Sequence, residues 1–318
     1  MAVKGDGTAN SADIDAINTL IQNFSKIFIP EGTYIVPAGK QINLLGNTEI
    51  YGVRGKTILI KEDSLRSDDY IFKINSPNTN PNDSFTNISI HDFVLKGNVE
   101  TKGFSELSHL IMVIGVNGLE IYNCDFIGFR GDGICLGVDD HGTTPDQISI
   151  KRNNSNVRIY NNFFDGVNKD NRNAISIVSG ENIDIFNNRI TRTTRSNMPG
   201  AIDIEPNPYA NTYIIKNIKI YNNTIEDIGG NVAAISVFCP DQVIPNNIKI
   251  YKNTIRNVFS FFHIRTNDST QASNISIEGN DCKDCTNIGA YFRGVIKNLC
   301  FKDNILLDIR YVGLALGF

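Results

Sequence analysis

NIKIYNNTI, Asn217 to Ile225, alternates apolar and polar residues, breaks into two asparagines, then returns to isoleucine. The same order recurs as NVRIYNNFF from Asn156, NIDIFNNRI from Asn182 and NIKIYKNTI from Asn247, with looser copies at Asn87, Gly118, Asn274 and Asn298. Anchored on the first apolar residue, the copies fall at 88, 119, 157, 183, 218, 248, 275 and 299, spaced 24 to 38 residues apart. A fixed unit with variable loops is the mark of a solenoid, because such a unit cannot bury its apolar face alone and must stack on its neighbours. Ile-x-Ile has the period of a half-buried strand, so Ile218 and Ile220 are expected inside and Lys219 outside. The asparagines mark a corner, since Asn tolerates left-handed backbone and bonds to nearby peptide groups. Asn162, Asn188, Asn223, Asn253, Asn280 and Asn304 align there and are predicted to form an internal amide ladder. A third strand follows each corner, as in RNAISIVSG, GAIDIEPN, AAISVFCP and FFHIRTND. The prediction is an all-β chain, a single-stranded parallel β-helix, right-handed by the crossover rule, with rungs ~4.8 Å apart.

The start differs. Ser11 to Ile21 carries helical spacing with Ser11 as N-cap, so residues 1–45 are read as a cap (helix 11–23 and first strands) and 46–318 as the β-helix. The other end shows no such cap: Leu314 to Phe318 reads as one more strand, expected to meet a partner subunit or a longer natural chain. The 318 residues carry a net charge of −4 without a basic stripe, which argues against a nucleic-acid partner. The apolar run Leu110 to Val116 is too short to insert in a membrane, and residues 1–10 show no secretory h-region. The expectation is either a protein made and used without export by that route or a leader already removed.

Cys282 and Cys285, with Cys300, suggest a partial metal site. Repeat register opposes this, because Cys282 falls where Ile190, Ile225 and Ile255 fall, and Cys285 where Val258 falls. Both are expected in the core as reduced thiols, so no metal site is assigned.

Gly5 to Ile17, followed by Ile29-Pro-Glu-Gly-Thr-Tyr34, resembles the opening of pectate-lyase-like β-helix proteins, which include many phage tailspike depolymerases. Arg172 to Ile177 and Gly200 to Asn207 resemble segments of phage tailspikes and related bacterial proteins. The resemblance implies a carbohydrate partner, and for a tailspike a homotrimer on the virion tail, folded in host cytoplasm; otherwise the protein would be extracellular. It also raises calcium, which several related lyases use, although no dense acidic loop is present and Asp139-Asp140 reads as solvated. No other cofactor is implied.

Placing the third strands in register aligns two outward columns. One runs Cys135, Ser176, Asp203, Ser236, His263, Tyr291; the other Gly137, Val178, Glu205, Phe238, Arg265, Arg293. Asp203 and Glu205, two apart on one strand, have Cα atoms ~6.5 to 7 Å apart, within reach of the ~5 to 9.5 Å carboxyl separations of glycosidases. Glu205 is the expected general acid, its pKa raised by the neighbouring charge, and Asp203 the base or nucleophile. His263 and Arg265 complete the catalytic set. Arg172, Asn173, Asp132, Ser236, Phe238, Tyr291 and Arg293 are candidate substrate-binding residues. Of these, Asp132 lies in Arg130-Gly-Asp-Gly133, which a tight turn alone would explain. A second outward stack, His91, Tyr122, Tyr160, Phe186, Tyr221 and Tyr251, is read as structural or as a subunit contact.

Three functions fit this pattern. The first is a tailspike-type depolymerase of a bacterial surface or extracellular polysaccharide. The second is a uronate lyase or C5-epimerase, with Arg265, Arg172 or Arg293 neutralising the sugar carboxylate and His263 or Tyr291 abstracting the C5 proton. The third is a glycan-binding or structural spike module without turnover. Loops such as Val138 to Gln147 and Thr194 to Pro199 are expected to set which glycan is taken.

Overall fold

The computed structural model describes residues 4–9, 11–62, 69–76, 84–138, 153–206, 213–239, 243–266 and 272–317. Asp139-Asp140, most of the 138–147 loop, Asn207 and Phe318 lie outside them. The strands form three parallel sheets of 11, 10 and 10 strands, and successive units add one strand to each. A complete unit runs Ile215–Tyr221, Thr224–Glu226 and Ile235–Cys239, one strand per face, before Asn246–Tyr251 returns to the first face. This is a parallel β-helix.

Period-2 alternation produces the core. Ile183, Ile218, Ile248 and Ile275 form one fully buried column, and Ile185, Ile220, Ile250 and Ile277 the next. Each buried isoleucine is worth about 1.5 to 3 kcal/mol, so stacked columns rather than any single strand hold the coil together. Cys282 and Cys285 take their places in a core column, and no disulfide links the six cysteines.

The corner asparagines divide the work that one was expected to do. The first of each pair, Asn161, Asn187 and Asn222, takes the left-handed backbone (φ 57°, 55° and 54°). The second builds the ladder: each amide Nδ2 donates to the next Oδ1 at 2.8–3.1 Å, from Asn162 through Asn304. That Oδ1 also accepts a backbone N–H at 3.0 Å, so the buried corner is satisfied. A second, exposed ladder joins the asparagines that open the repeats, Asn156, Asn182, Asn217 and Asn247, also left-handed. The aromatic stack from His91 to Tyr251 is present with centroids 4.5–5.0 Å apart, and Phe28 and Tyr51 extend it.

The N-terminal helix spans Ser11–Asn23 and buries Ile14, Ile17 and Ile21. At the opposite end Ile305, Leu307, Leu314 and Leu316 are about half exposed.

Candidate functional site

The third sheet carries the site. Ser176, Asp203, Ser236, His263 and Tyr291 pair in direct register across five strands, and Phe238, Arg265 and Arg293 pair beside them. Ile202 and Ile204 are fully buried on the inner face, which turns Asp203 outward. Gly200 lets this strand start where it does: a Cβ there would stand 1.6 Å from the Ala233 carbonyl oxygen.

Asp203 points outward yet is only 1 % exposed. Ser236 Oγ donates to its Oδ1 at 2.5 Å, and Asn173 Nδ2 lies 3.4 Å from Oδ2. Burial drives the Asp203 carboxyl well above the usual range and the Glu205 charge adds to this; Ser236 and Arg172 pull the other way without cancelling it. The sequence casts Asp203 as base or nucleophile; its carboxyl is the one that burial raises. Glu205 is more exposed (39 % for its side chain) and meets Arg172 Nη2 at 3.5 Å.

Three candidate binding residues lie behind the surface. Asp132 is fully buried and holds Arg172 Nη1 at 2.9 Å, with His109 Nδ1 at 3.1 Å. Burial alone would raise its pKa, but the Arg172 charge, with His109 and the Asn173 N–H beside it, outweighs that and holds it at about 2. Asn173 is also fully buried, its backbone N–H donating to Asp132 and its amide to Ser176. Arg172 is engaged by Asp132, Ser176 and Glu205, and the Asp132 charge keeps it firmly protonated. Asp132 and Asn173, expected as substrate contacts, are both fully buried, and their hydrogen bonds run to Arg172 and Ser176.

Asp203, Glu205, Ser236, Phe238, His263 and Arg265 line a cavity of about 220 Å3, walled by Pro199 and Val232. Burial, then the Arg265 charge, push the His263 imidazole down to about 4, so it is neutral at pH 7, and its Nε2 is buried without a partner. Arg265 lies over the Phe238 ring at 4.9 Å. Neither Arg265 nor Arg293 reaches a carboxylate within ion-pair distance among the described residues. Tyr291 stacks at a tilt on His263, 4.9 Å between centroids.

His109, Asp132 and Cys135 are the one cluster of potential metal ligands among the described residues. The Arg172 guanidinium already occupies Asp132 and repels a cation, so the set fits neither calcium nor zinc well. A larger, open cleft of about 530 Å3 at the corner of the first and second sheets includes Arg54, Asp125 and Arg189 but no pair of acids.

The three parallel sheets define a parallel β-helix, and a pair of acids lines a cavity on one outer face. No family model matches the chain, and no curated protein matches it. Solved structures do. The Streptococcus pneumoniae surface protein and adhesin PfbA aligns over 100 % of this chain and 98 % of its own, at 13 % identity and TM-score 0.54. The Azotobacter vinelandii mannuronan C-5 epimerase AlgE4 A-module aligns over 99 % and 95 %, at 13 % identity and TM-score 0.52. An iota-carrageenase complexed to iota-carrageenan fragments aligns over 83 % of this chain and 55 % of its own, at 15 % identity and TM-score 0.58. At such identities the likeness establishes the shared fold.

Proposed function

We propose that the protein is a polysaccharide-degrading enzyme acting on a bacterial surface or extracellular glycan, in the manner of a tailspike depolymerase. The observation that carries this is the buried Asp203, raised toward its protonated form, beside Glu205 in a cavity of about 220 Å3. Asp203 donates its proton to the glycosidic oxygen as the C–O bond breaks. Glu205, steadied by Arg172, takes a proton from the attacking water or attacks the anomeric carbon itself. Phe238 offers a flat face to the ring and Arg265 a cation. The fold neighbours add support of a general kind, since an epimerase of mannuronan and a carrageenase share the architecture.

A second reading, uronate lyase or C5-epimerase, draws on the neutral His263 beside Arg265 and Arg293. A neutral imidazole can accept a C5 proton while the guanidinium stabilises the carboxylate.

A panel of purified bacterial polysaccharides, assayed for reducing ends, ultraviolet absorbance and product mass, tests both. Hydrolysis gives reducing ends alone, whereas β-elimination adds a conjugated double bond and epimerisation leaves chain length unchanged. If wild type binds a glycan but releases nothing, and Asp203→Asn and Glu205→Gln bind it equally, the protein is a binding module, as the adhesin neighbour would have it.

A further inference from the structure

A second cavity, of about 230 Å3, adjoins the first and shares His263 and Val232 with it. We infer that the binding groove continues past His263 into this cavity, and that it accepts an uncharged sugar ring adjacent to the one held at Asp203 and Glu205. The inference deepens the proposed function and rests on it.

Size comes first. Ligand clefts run from ~300 Å3 upward, so neither cavity alone reaches that range, while the two joined at His263 fall inside it. Direction comes second. The first cavity draws on the strands of Asp203, Ser236 and His263; the second draws on the turns before the Ser236, His263 and Tyr291 strands. The groove therefore advances about one rung, ~4.8 Å, along the helix axis. That advance is close to the length of a sugar ring.

Chemistry comes third. The first cavity holds two acids and Arg265, whereas no acid, lysine or arginine lines the second. Phe259, Ile288 and Val232 give it apolar walls for the C–H face of a ring. The Asn231 and Asn287 amides supply both donors and acceptors for hydroxyl groups. Asn287 makes a long 3.5 Å bond to Ser260 Oγ, leaving amide capacity for a ligand. A charged ring would find no counter-ion here, and burying its charge would cost it affinity.

The test is methyl NMR of isoleucine- and valine-labelled protein with glucose, galactose, N-acetylglucosamine and glucuronate as probes. Ile288 reports the second cavity and Val232 the junction with the first. At least one neutral sugar is expected to shift Ile288 more than glucuronate does. Asn287→Ala and Asn231→Ala are expected to weaken that binding about fivefold to tenfold, the loss of one hydrogen bond. Silence at Ile288 with all three neutral sugars, an equal response to glucuronate, or unchanged binding in both variants overturns the inference. Asp203→Asn separates the two claims. If Ile288 responds but Asp203→Asn retains turnover, the acid pair fails and the second subsite stands. If Asp203→Asn is inactive and Ile288 stays silent, the subsite fails alone.

Discussion

Arg172 Nη1 lies 2.9 Å from Asp132 Oδ2, at a fully buried carboxylate, and the same guanidinium reaches Glu205 at 3.5 Å. Through this arginine a residue with no exposure sets the orientation of one at the surface. Asp132→Asn should leave a largely buried guanidinium short of a counter-charge and cost about 3 kcal/mol, read from denaturant midpoints. The pH dependence has a definite sign. The folded pKa of about 2 lies below the ordinary 3.8, so the contribution is complete above pH 4 and is lost as pH falls through the folded pKa. Its size is roughly 2 kcal/mol, and an Asp132→Asn protein should lack that part of the acid transition.

Asp203 has the opposite sign. Its folded pKa is raised, so the unfolded state ionises first and the fold loses stability as pH climbs from the unfolded to the folded value. Asn mimics the protonated acid and escapes this. Asp203→Asn should therefore melt higher than wild type at neutral pH while losing glycan cleavage, the pairing expected where function holds a strained charge. Wild-type activity should fall as pH rises through the Asp203 pKa. A destabilised or fully active Asp203→Asn protein would contradict the assignment.

His263 is neutral above about pH 5, its folded value being about 4. If it only positions the sugar, His263→Gln should reduce kcat less than about tenfold and leave the shape of the pH–rate curve unchanged. A loss of ~10²- to 10⁴-fold, the range of a lost general base, would move the assignment to the lyase or epimerase reading.

The buried ladder should be worth more than the exposed one. Asn223→Ala strips an acceptor from the Asn188 amide and backbone N–H, and a donor from the Ile185 carbonyl. With each buried orphan costing ~1 to 3 kcal/mol, thermal unfolding should show at least ~3 kcal/mol of loss. Asn217→Ala, in the exposed ladder, should cost about 1 to 2 kcal/mol, chiefly its left-handed backbone.

Thiol titration offers an independent check on register. Five of the six cysteines are buried and only Cys300 is partly exposed. Burial also pushes the Cys124 thiol up to about 12. One thiol should react in the folded protein and six after unfolding; early reaction of Cys282 or Cys285 would mean the coil is out of register.

The repeat alone determined the three-sheet coil, the inward isoleucines, the asparagine ladder and the column from Ser176 to Tyr291. Each depends on strand alternation and rung-to-rung pairing, which are periodic in sequence. Depth depended on what covers the sheet. Asp203 was legible as outward but not as buried, because Pro199 and Val232 wall it from turns of no fixed period and Ser236 closes over it. Asp132 was legible as a turn residue, but its partner Arg172 is 40 residues away. Asn231, Phe259, Asn287 and Ile288 escaped notice for the same reason, since they lie on turns between strands. The upward shift of the Asp203 pKa follows from burial and neighbouring charge, and only the folded chain sets those. Periodicity placed the site; the aperiodic turns set its electrostatics and its second chamber.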